Sequence, residues 1–340
     1  MKLRYYITRR LLLSILVLIG VSLIVFALTN VIPANPAARY VGPHAKPEQI
    51  EQARIELGLD KPLYVQYYLY MSNIFKGDLG TSIRTHRPVL QDILHFLPSS
   101  LEIIFLGMFI AVAVGVPLGV YSAANRNKFI DHAARFFSVS GVSLPTFWLA
   151  MIFQLIFFQW LGILPLGSRL STRVSLIYPV ERMTGFILID SAIQGNLVAF
   201  KDALRHIILP ALTMSAYPLG LVTRMVRSST IDVLGEDYIR MEKAYGIKER
   251  TILFVYALRN SFSSALSVLA LTFAYSLVSI FLIETIFSWP GLGRYAYRSI
   301  VSVDYPAIMG LTLVIACIYV FLNLGVDIGQ AYLDPRVRLE

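Results

Sequence analysis

Six apolar runs, each long enough to cross a hydrocarbon core, dominate this sequence: residues 11–32, 101–123, 136–161, 207–226, 262–287 and 307–331. A helix needs about 20 mostly apolar residues to span a bilayer, and lipid supplies no partner for a backbone N–H or C=O left unpaired. Runs of this length, set apart by polar segments, predict an all-α integral membrane protein with about six transmembrane helices. Composition agrees, since 56% of the 340 residues are hydrophobic and only 15% charged. A chain dissolved in water would expose too much apolar surface at that ratio. The net charge of +9 does not point to nucleic acid. Its Lys and Arg residues stand in short clusters beside the apolar runs, where they set orientation, and no basic stripe with interleaved aromatics occurs.

An even number of spans places both termini on one side. Lys2, Arg4, Arg9 and Arg10 precede the first run, so the positive-inside rule predicts cytoplasmic N- and C-termini in a multi-pass protein of the cell membrane. The connections holding Arg126, Lys128 and Arg135, and then residues 227–260, fall on the same side. The first run is too long for a signal-peptide core and lacks a small-x-small cleavage site, so residues 1–32 read as a retained anchor helix. Cys317 is the single cysteine, which excludes an internal disulfide.

Two segments on the opposite face are too long for plain connections. Residues 33–97 form an extracytoplasmic helical segment. Pro47 opens one helical pattern (Ile50, Ala53, Leu57) closed by Gly58, and Asp60 and Pro62 open a second (Val65, Tyr68, Leu69) ending at Gly77. A third piece, 88–96, is expected along the membrane surface, with Pro98 starting the next span. In the extracytoplasmic loop 165–205, the apolar stretch 185–193 is too short to cross and reads as interfacial. Residues 98–331 then form a five-helix core and 332–340 a cytoplasmic tail.

Gly115 and Gly119 form a small-xxx-small pair, and Ser263, Ser267, Ala270 and Ala274 a small-residue stripe, both of which let helices approach closely. Pro145 and Pro218 are expected to bend their helices, with Ser143 and Ser215 helping to satisfy the freed backbone groups. Ordinary helix packing accounts for these residues; a solute path lined by Gly115, Gly119, Ser143, Ser263 and Ser267 is the sharper alternative. Glu102, Glu284 and Asp327 lie within about two turns of span ends, where water or headgroups are expected to reach them. They form no central carboxylate relay. The chain carries no GxxxxGK[ST] loop, no HExxH and no GxSxG elbow, and its five histidines lack metal-ligand spacing. It therefore reads as a transport subunit that is not itself an enzyme and holds no cofactor or metal.

The segment RSSTIDVLGEDYIRMEKAYGIKERTILFVYALRN, 227–260, carries the most pattern. Residues 237–243 suit a short helix, Gly246 its C-terminal stop, and Ile247 the start of the next run. By charge pattern alone this helix–Gly–helix elbow is a solvated connector. A rigid knob pushed by another protein is the alternative.

Motifs spread over almost the whole chain decide further. They include GLDKPLYVQYYLY at 58–70, GDLGTSIRTHRPV at 77–89, VSLPTFWLA at 142–150, HIILPALTM at 206–214 and LGEDYIRMEKAYG at 234–246. ETIFSWPGLGRYAYRSI at 284–300, VDYPAIMG at 303–310 and LDPRVR at 333–338 complete the series. In order and spacing they resemble the permease subunits of ATP-binding-cassette importers of the dipeptide/oligopeptide (and nickel) branch. The resemblance implies a type I importer permease fold and alternating access. It implies that Arg240, Glu242, Lys243, Ala244, Tyr245 and Gly246 form the contact with the ATPase. Met241 and Glu242 depart from the usual Ala-rich version, while Gly246 is kept. The implied partners are a second homologous permease, two ATPase subunits that hold the ATP and Mg, and an extracytoplasmic solute-binding protein, all arranged about the lipid bilayer. The implied solute is a short peptide, with a short oligosaccharide as the alternative. A stand-alone ion-coupled secondary transporter would show inverted repeats and broken midplane helices, and no such repeat is visible. A receptor would need a cytoplasmic output domain.

Overall fold

In a computed structural model that describes residues 3–31, 36–42, 45–56 and 58–333, the chain is mostly α-helical, with loops and one isolated bridge, Thr81–Pro88, between the helices. Among the described residues five helices are long and apolar enough to cross a membrane, with apolar stretches Ile7–Ala27, Val89–Ala124, Leu197–Leu234, Val268–Ile286 and Tyr305–Gly325. A sixth span exists only as a bent pair, Phe129–Ser143 followed by Thr146–Trp160, turned by 110°. The single span expected over 136–161 is thus broken, not bent. Leu144, the residue before Pro145, is extended (φ −78°, ψ 133°), which is the conformation that a following proline ring enforces. The helix ends there and restarts after the proline.

Pro98 has the opposite outcome. The expected surface piece 88–96 and the span after it are one helix, Val89–Ala124, with Pro98 and Pro117 inside. Val89 and Ile93 are fully buried, so packing holds the first turns helical through the proline. The fourth span also exceeds its expected bounds. Leu197–Leu234 is a single 38-residue helix, so residues 227–234 extend a span and do not belong to a loop. Ser215 donates to the Leu212 carbonyl, not to the Met214 carbonyl that Pro218 frees. The helix after the elbow begins at Glu249, not at Ile247, and passes through a π-helical stretch, Ile252–Ala257, into Leu258–Ile286.

The chain divides into two compact units. The first comprises residues 1–97 and 295–324. There the helix Pro47–Glu56 starts with the Gln49 side chain accepting from the Lys46 N–H (2.9 Å), a capping-box contact. It ends at Gly58 (φ +66°), where the Gly58 and Leu59 N–H groups bond back to Ile55 and Arg54 carbonyls. The next helix, Leu63–Phe75, ends in the same way at Gly77 (φ +80°). It meets the first helix through a Ser22–Tyr67 hydroxyl bond of 2.8 Å and the ring of Phe26, 5.3 Å from that of Tyr67. Burial, then the neighbouring Tyr67, pushes the Tyr70 hydroxyl up to about 12. Nearby in sequence to the start of the last span, Asp304 is fully buried and accepts from Ser82 Oγ (2.5 Å) and the Arg84 N–H (3.2 Å).

The second unit comprises residues 98–294 and 325–340, and Leu197–Leu234 is its axis. Close helix approaches give the direction of each neighbour. A Cβ placed on Gly115 would lie 3.2 Å from the Leu219 carbonyl oxygen, and one on Gly119 2.8 Å from that of Thr223. Both numbers rise together, so this pair of helices is parallel. Gly141 abuts Ala216 and Gly220 abuts Ser138, so Phe129–Ser143, the first helix of the bent pair, runs antiparallel to the axis. Phe105 stacks near Phe273 and Tyr121 near Phe254, so Leu258–Ile286 is antiparallel to Val89–Ala124. This alternation is that of a chain crossing back and forth with each successive span. Val116, Val120, Val222, Val226 and Leu253 form one buried apolar cluster among these helices. The side chains of Ser263, Ser267 and Asp327 lie outside the described residues.

Candidate functional site

The elbow is built on the end of the axial helix. Leu197–Leu234 stops at Gly235, and Asp237–Ala244 follows as a separate helix with Glu236 before it. Ile239 is fully buried and pins the short helix down. At its other end Gly246 takes φ +74°. The Gly246 N–H bonds to the Lys243 carbonyl (3.0 Å) and the Ile247 N–H to that of Glu242 (3.2 Å). These are the two bonds of a Schellman motif, which needs a left-handed residue at this position. Arg240, Lys243, Ala244 and Tyr245 project from this frame, with Tyr245 77% exposed. Among the described residues Arg240 pairs with exposed Asp237, at 3.1 Å, a contact worth little in water. Glu242 is half-buried, and its Oε2 has no hydrogen-bond partner among the described residues. Arg240, Lys243, Ala244, Tyr245 and Gly246 are thus exposed around one helix stop, a knob into which Glu242 is partly turned.

Two turns before the elbow lies a charge cluster that spacing could not reveal. Asp131, fully buried, accepts from Arg227 Nε (2.6 Å) and Nη2 (2.9 Å), from Ser122 Oγ (2.6 Å) and from the Asn127 N–H (2.9 Å). One carboxylate thus ties together the ends of three helices, Val89–Ala124, Phe129–Ser143 and Leu197–Leu234. The one local hint in the sequence was an aspartate beside the positive cluster of residues 126–135.

Glu102 and Glu284 are not open to water or headgroups as expected. Glu284 is fully buried, its Oε1 accepting from Ser100 Oγ (2.5 Å) and its Oε2 from the Arg294 N–H (3.0 Å). Ser100 Oγ in turn accepts from the Leu292 N–H (2.7 Å). The turn 287–294 folds back over the carboxylate, and a Cβ on Gly291 would overlap it. Glu102, 5% exposed, accepts from Arg169 Nη2 (2.7 Å) and the Leu188 N–H (2.9 Å). Both carboxylates tie loops to helices. Asp190, in the short helix Ile187–Ile193, does similar work for its own loop. Burial pushes its carboxyl up, but the Thr184 hydroxyl and the N–H groups of Thr184, Gly185 and Met183 more than offset this. It is held below its ordinary range. Among the described residues no group of three or more His, Cys, Asp or Glu could hold a metal ion.

At the Leu144–Pro145 break a cavity of about 240 Å³ opens. Ser143, Thr146, Tyr217, Tyr275, Ser276 and Ser279 line it, and no charged residue does. Of the small residues singled out in the sequence, Ser143 lies here, whereas Gly115 and Gly119 lie against the axial helix. The sequence reading missed Tyr217 and Tyr275, whose rings are 5.2 Å apart. Their positions, 58 residues apart, meet only through helix packing.

A bundle of apolar helices with an exposed knob at one end agrees with what known proteins show. Residues 115–339 match the family model described as the binding-protein-dependent transport system inner membrane component, and residues 2–104 match the model of the N-terminal part of such components. The chain is 42% identical over 323 residues to a probable D,D-dipeptide transport system permease protein of Escherichia coli strain K12, covering 95% of this chain and 94% of that one. It is 40% identical over 333 residues to a dipeptide transport system permease protein of Alkalihalophilus pseudofirmus, covering 98% and 99%. A di/tripeptide transport system permease protein of Pseudomonas aeruginosa is 38% identical over 334 residues, covering 98% of each chain. The chain belongs to the inner membrane components of binding-protein-dependent transport systems: it is a multi-pass permease subunit of an ATP-binding-cassette importer, and not an enzyme.

Proposed function

We propose that this permease forms half of the translocation path of a peptide importer. The observation that carries the reading is near-complete alignment, at 38–42% identity, with permeases named for dipeptide or di/tripeptide transport. The other half of the path is a second, homologous permease. Two ATPase subunits bind ATP and Mg and hydrolyse the nucleotide, and a solute-binding protein delivers the peptide. The knob formed by Arg240, Glu242, Lys243, Ala244, Tyr245 and Gly246 docks on one ATPase. Its Schellman stop and the Ile239 anchor make it rigid enough to pass a push to the axial helix. The knob and both termini face the cytoplasm, as the Lys and Arg residues near the first span require. Segments 33–97 and 165–205 then face the binding protein.

Reconstitution tests this. Alone in liposomes, the chain should neither hydrolyse ATP nor concentrate any solute. Together with its partner permease, ATPases and binding protein, it should import a labelled dipeptide only when ATP is on the cytoplasmic face. Import of a short oligosaccharide in place of peptide would overturn the substrate reading alone. Concentrative uptake by the isolated chain under an ion gradient would overturn the importer reading.

A further inference from the structure

We infer that the cavity at the Leu144–Pro145 break is a peptide-contact site within the path, one that binds the amide backbone of a short peptide without selecting its side chains. This rests on the peptide-importer reading above. The break itself argues that the cavity holds water. Ending one helix and starting another within an apolar span leaves backbone groups without helical partners. At membrane depth that is tolerated only where the backbone is buried in protein or lines an aqueous cavity. Here Val142, Ser143, Leu144, Pro145 and Thr146, the residues of the break, line the cavity.

The facing wall lies near the middle of its helices. Tyr275 and Ser276 are halfway along Val268–Ile286, and Tyr217 is halfway along Leu197–Leu234. Gly141 and Gly220 allow the broken helix to approach the axial helix with no side chain between, a Cβ on Gly220 lying 2.5 Å from the Ser138 carbonyl oxygen. That contact holds the end of the broken helix against the axial helix.

The lining chemistry names the ligand class. Each Ser, Thr or Tyr hydroxyl can donate one hydrogen bond and accept others. Ser276 Oγ donates to the Thr272 carbonyl (2.7 Å) and Ser279 Oγ to that of Ser276 (3.4 Å), so both oxygens are left to accept. Ser276 and Ser279 can meet an amide N–H, and the Tyr217, Tyr275 and Thr146 hydroxyls either an N–H or a C=O, whatever the register of the passing peptide. The paired rings of Tyr217 and Tyr275 give apolar side chains a surface to slide on. With no charged lining residue, neither acidic nor basic side chains are trapped or repelled by an opposite or like charge. A transport path has to bind weakly enough to release its cargo, and this wall does so while tolerating any sequence.

The test uses the complete importer in proteoliposomes, in a Cys317→Ser background, with Ser279→Cys on the wall and Leu16→Cys as control. Leu16 is 68% exposed in the middle of an apolar span. A charged, water-soluble methanethiosulfonate reagent should label position 279 and spare position 16. Labelling should cut dipeptide uptake at least tenfold relative to the same variant unlabelled. Saturating dipeptide with binding protein and ATP should slow the labelling several-fold. Should Ser279→Cys fail to assemble, Thr146→Cys on the opposite wall makes the same measurement. No labelling at the wall, or undiminished uptake after labelling, overturns the site while leaving a working peptide importer. If the unlabelled complex imports oligosaccharide and no dipeptide, the substrate reading and the amide-backbone ligand class fail together.

Discussion

Asp131 and Arg227 form a two-pronged ion pair, Nε–Oδ1 2.6 Å and Nη2–Oδ2 2.9 Å, across 96 residues of sequence. Asp131 has no exposed side-chain surface and Arg227 only 19%, so the pair is shielded from the screening that weakens surface contacts. Its place, two turns before Gly235, makes it the last fixed point of the axial helix ahead of the knob. Any displacement of the knob along that helix must move this junction, and with it the helices carrying Ser122 and Asp131.

Removing one partner of a buried ion pair leaves the other charge uncompensated, at a cost of about 3–5 kcal/mol. Asp131→Ala should therefore lower the thermal midpoint of the purified complex in detergent and weaken stimulation of ATP hydrolysis by loaded binding protein. The charge swap, Asp131→Arg with Arg227→Asp, should not restore either property. The Asn127 N–H, 2.9 Å from Asp131 Oδ2, would then face a cation. Full rescue by the swap would reduce the junction to a simple charge pair.

Gly246 is expected to act through its backbone alone. No atom lies within 4 Å of a Cβ placed there, yet φ is +74°, where an L-residue pays about 1–2 kcal/mol. Gly246→Val should insert into the membrane normally but lose solute-stimulated ATP hydrolysis. Gly246→Asn should keep most of it, because asparagine tolerates the left-handed region. Equal stimulation in the valine and asparagine variants would remove the elbow's shape from the mechanism.

Close helix approaches predict a graded series. A Cβ on Gly220 meets the Ser138 carbonyl oxygen at 2.5 Å and one on Gly119 meets that of Thr223 at 2.8 Å, whereas nothing lies within 4 Å of one on Gly20. Backbone oxygens cannot rotate away, so Gly220→Ala and Gly119→Ala should each cost about 1–3 kcal/mol by overpacking. Gly20→Ala should be neutral. Thermal unfolding monitored in detergent would rank them, and an unchanged midpoint for Gly220→Ala would contradict the approach of the broken helix to the axis.

The stops at Gly58, Gly77 and Gly246 were legible in the sequence because only glycine takes φ near +70° cheaply, whatever surrounds it. The prolines were not. Pro145 breaks a helix while Pro98, Pro117, Pro210 and Pro218 sit within helices. The difference lies in packing, as the buried Val89 and Ile93 before Pro98 show. Distance from a span end also misled for Glu284, since nothing local says that the turn 287–294 folds back to cover it. The cavity depends on Tyr217 and Tyr275, and the junction on Asp131 and Arg227. Each pair is assembled by helix crossings that periodicity does not encode.

The orientation of the spans in the membrane gives the last prediction. Within the second unit the helix directions alternate from span to span, so locating one of its connections locates the others. On the positive-inside rule, the Lys and Arg residues near the first span lead us to expect the knob in the cytoplasm. In a Cys317→Ser background, Tyr245→Cys, at a position 77% exposed, should resist an impermeant maleimide in intact cells and react once the membrane is opened. Leu176→Cys, at an equally exposed position in the short helix Thr172–Ile177, should react in intact cells. So should Asp60→Cys, at an exposed position between the helices Pro47–Glu56 and Leu63–Phe75. Positions 176 and 245 are separated by the single span Leu197–Leu234, so they must label from opposite sides. Labelling of position 245 in intact cells, with 176 protected, would invert the orientation and remove the knob from reach of any cytoplasmic ATPase.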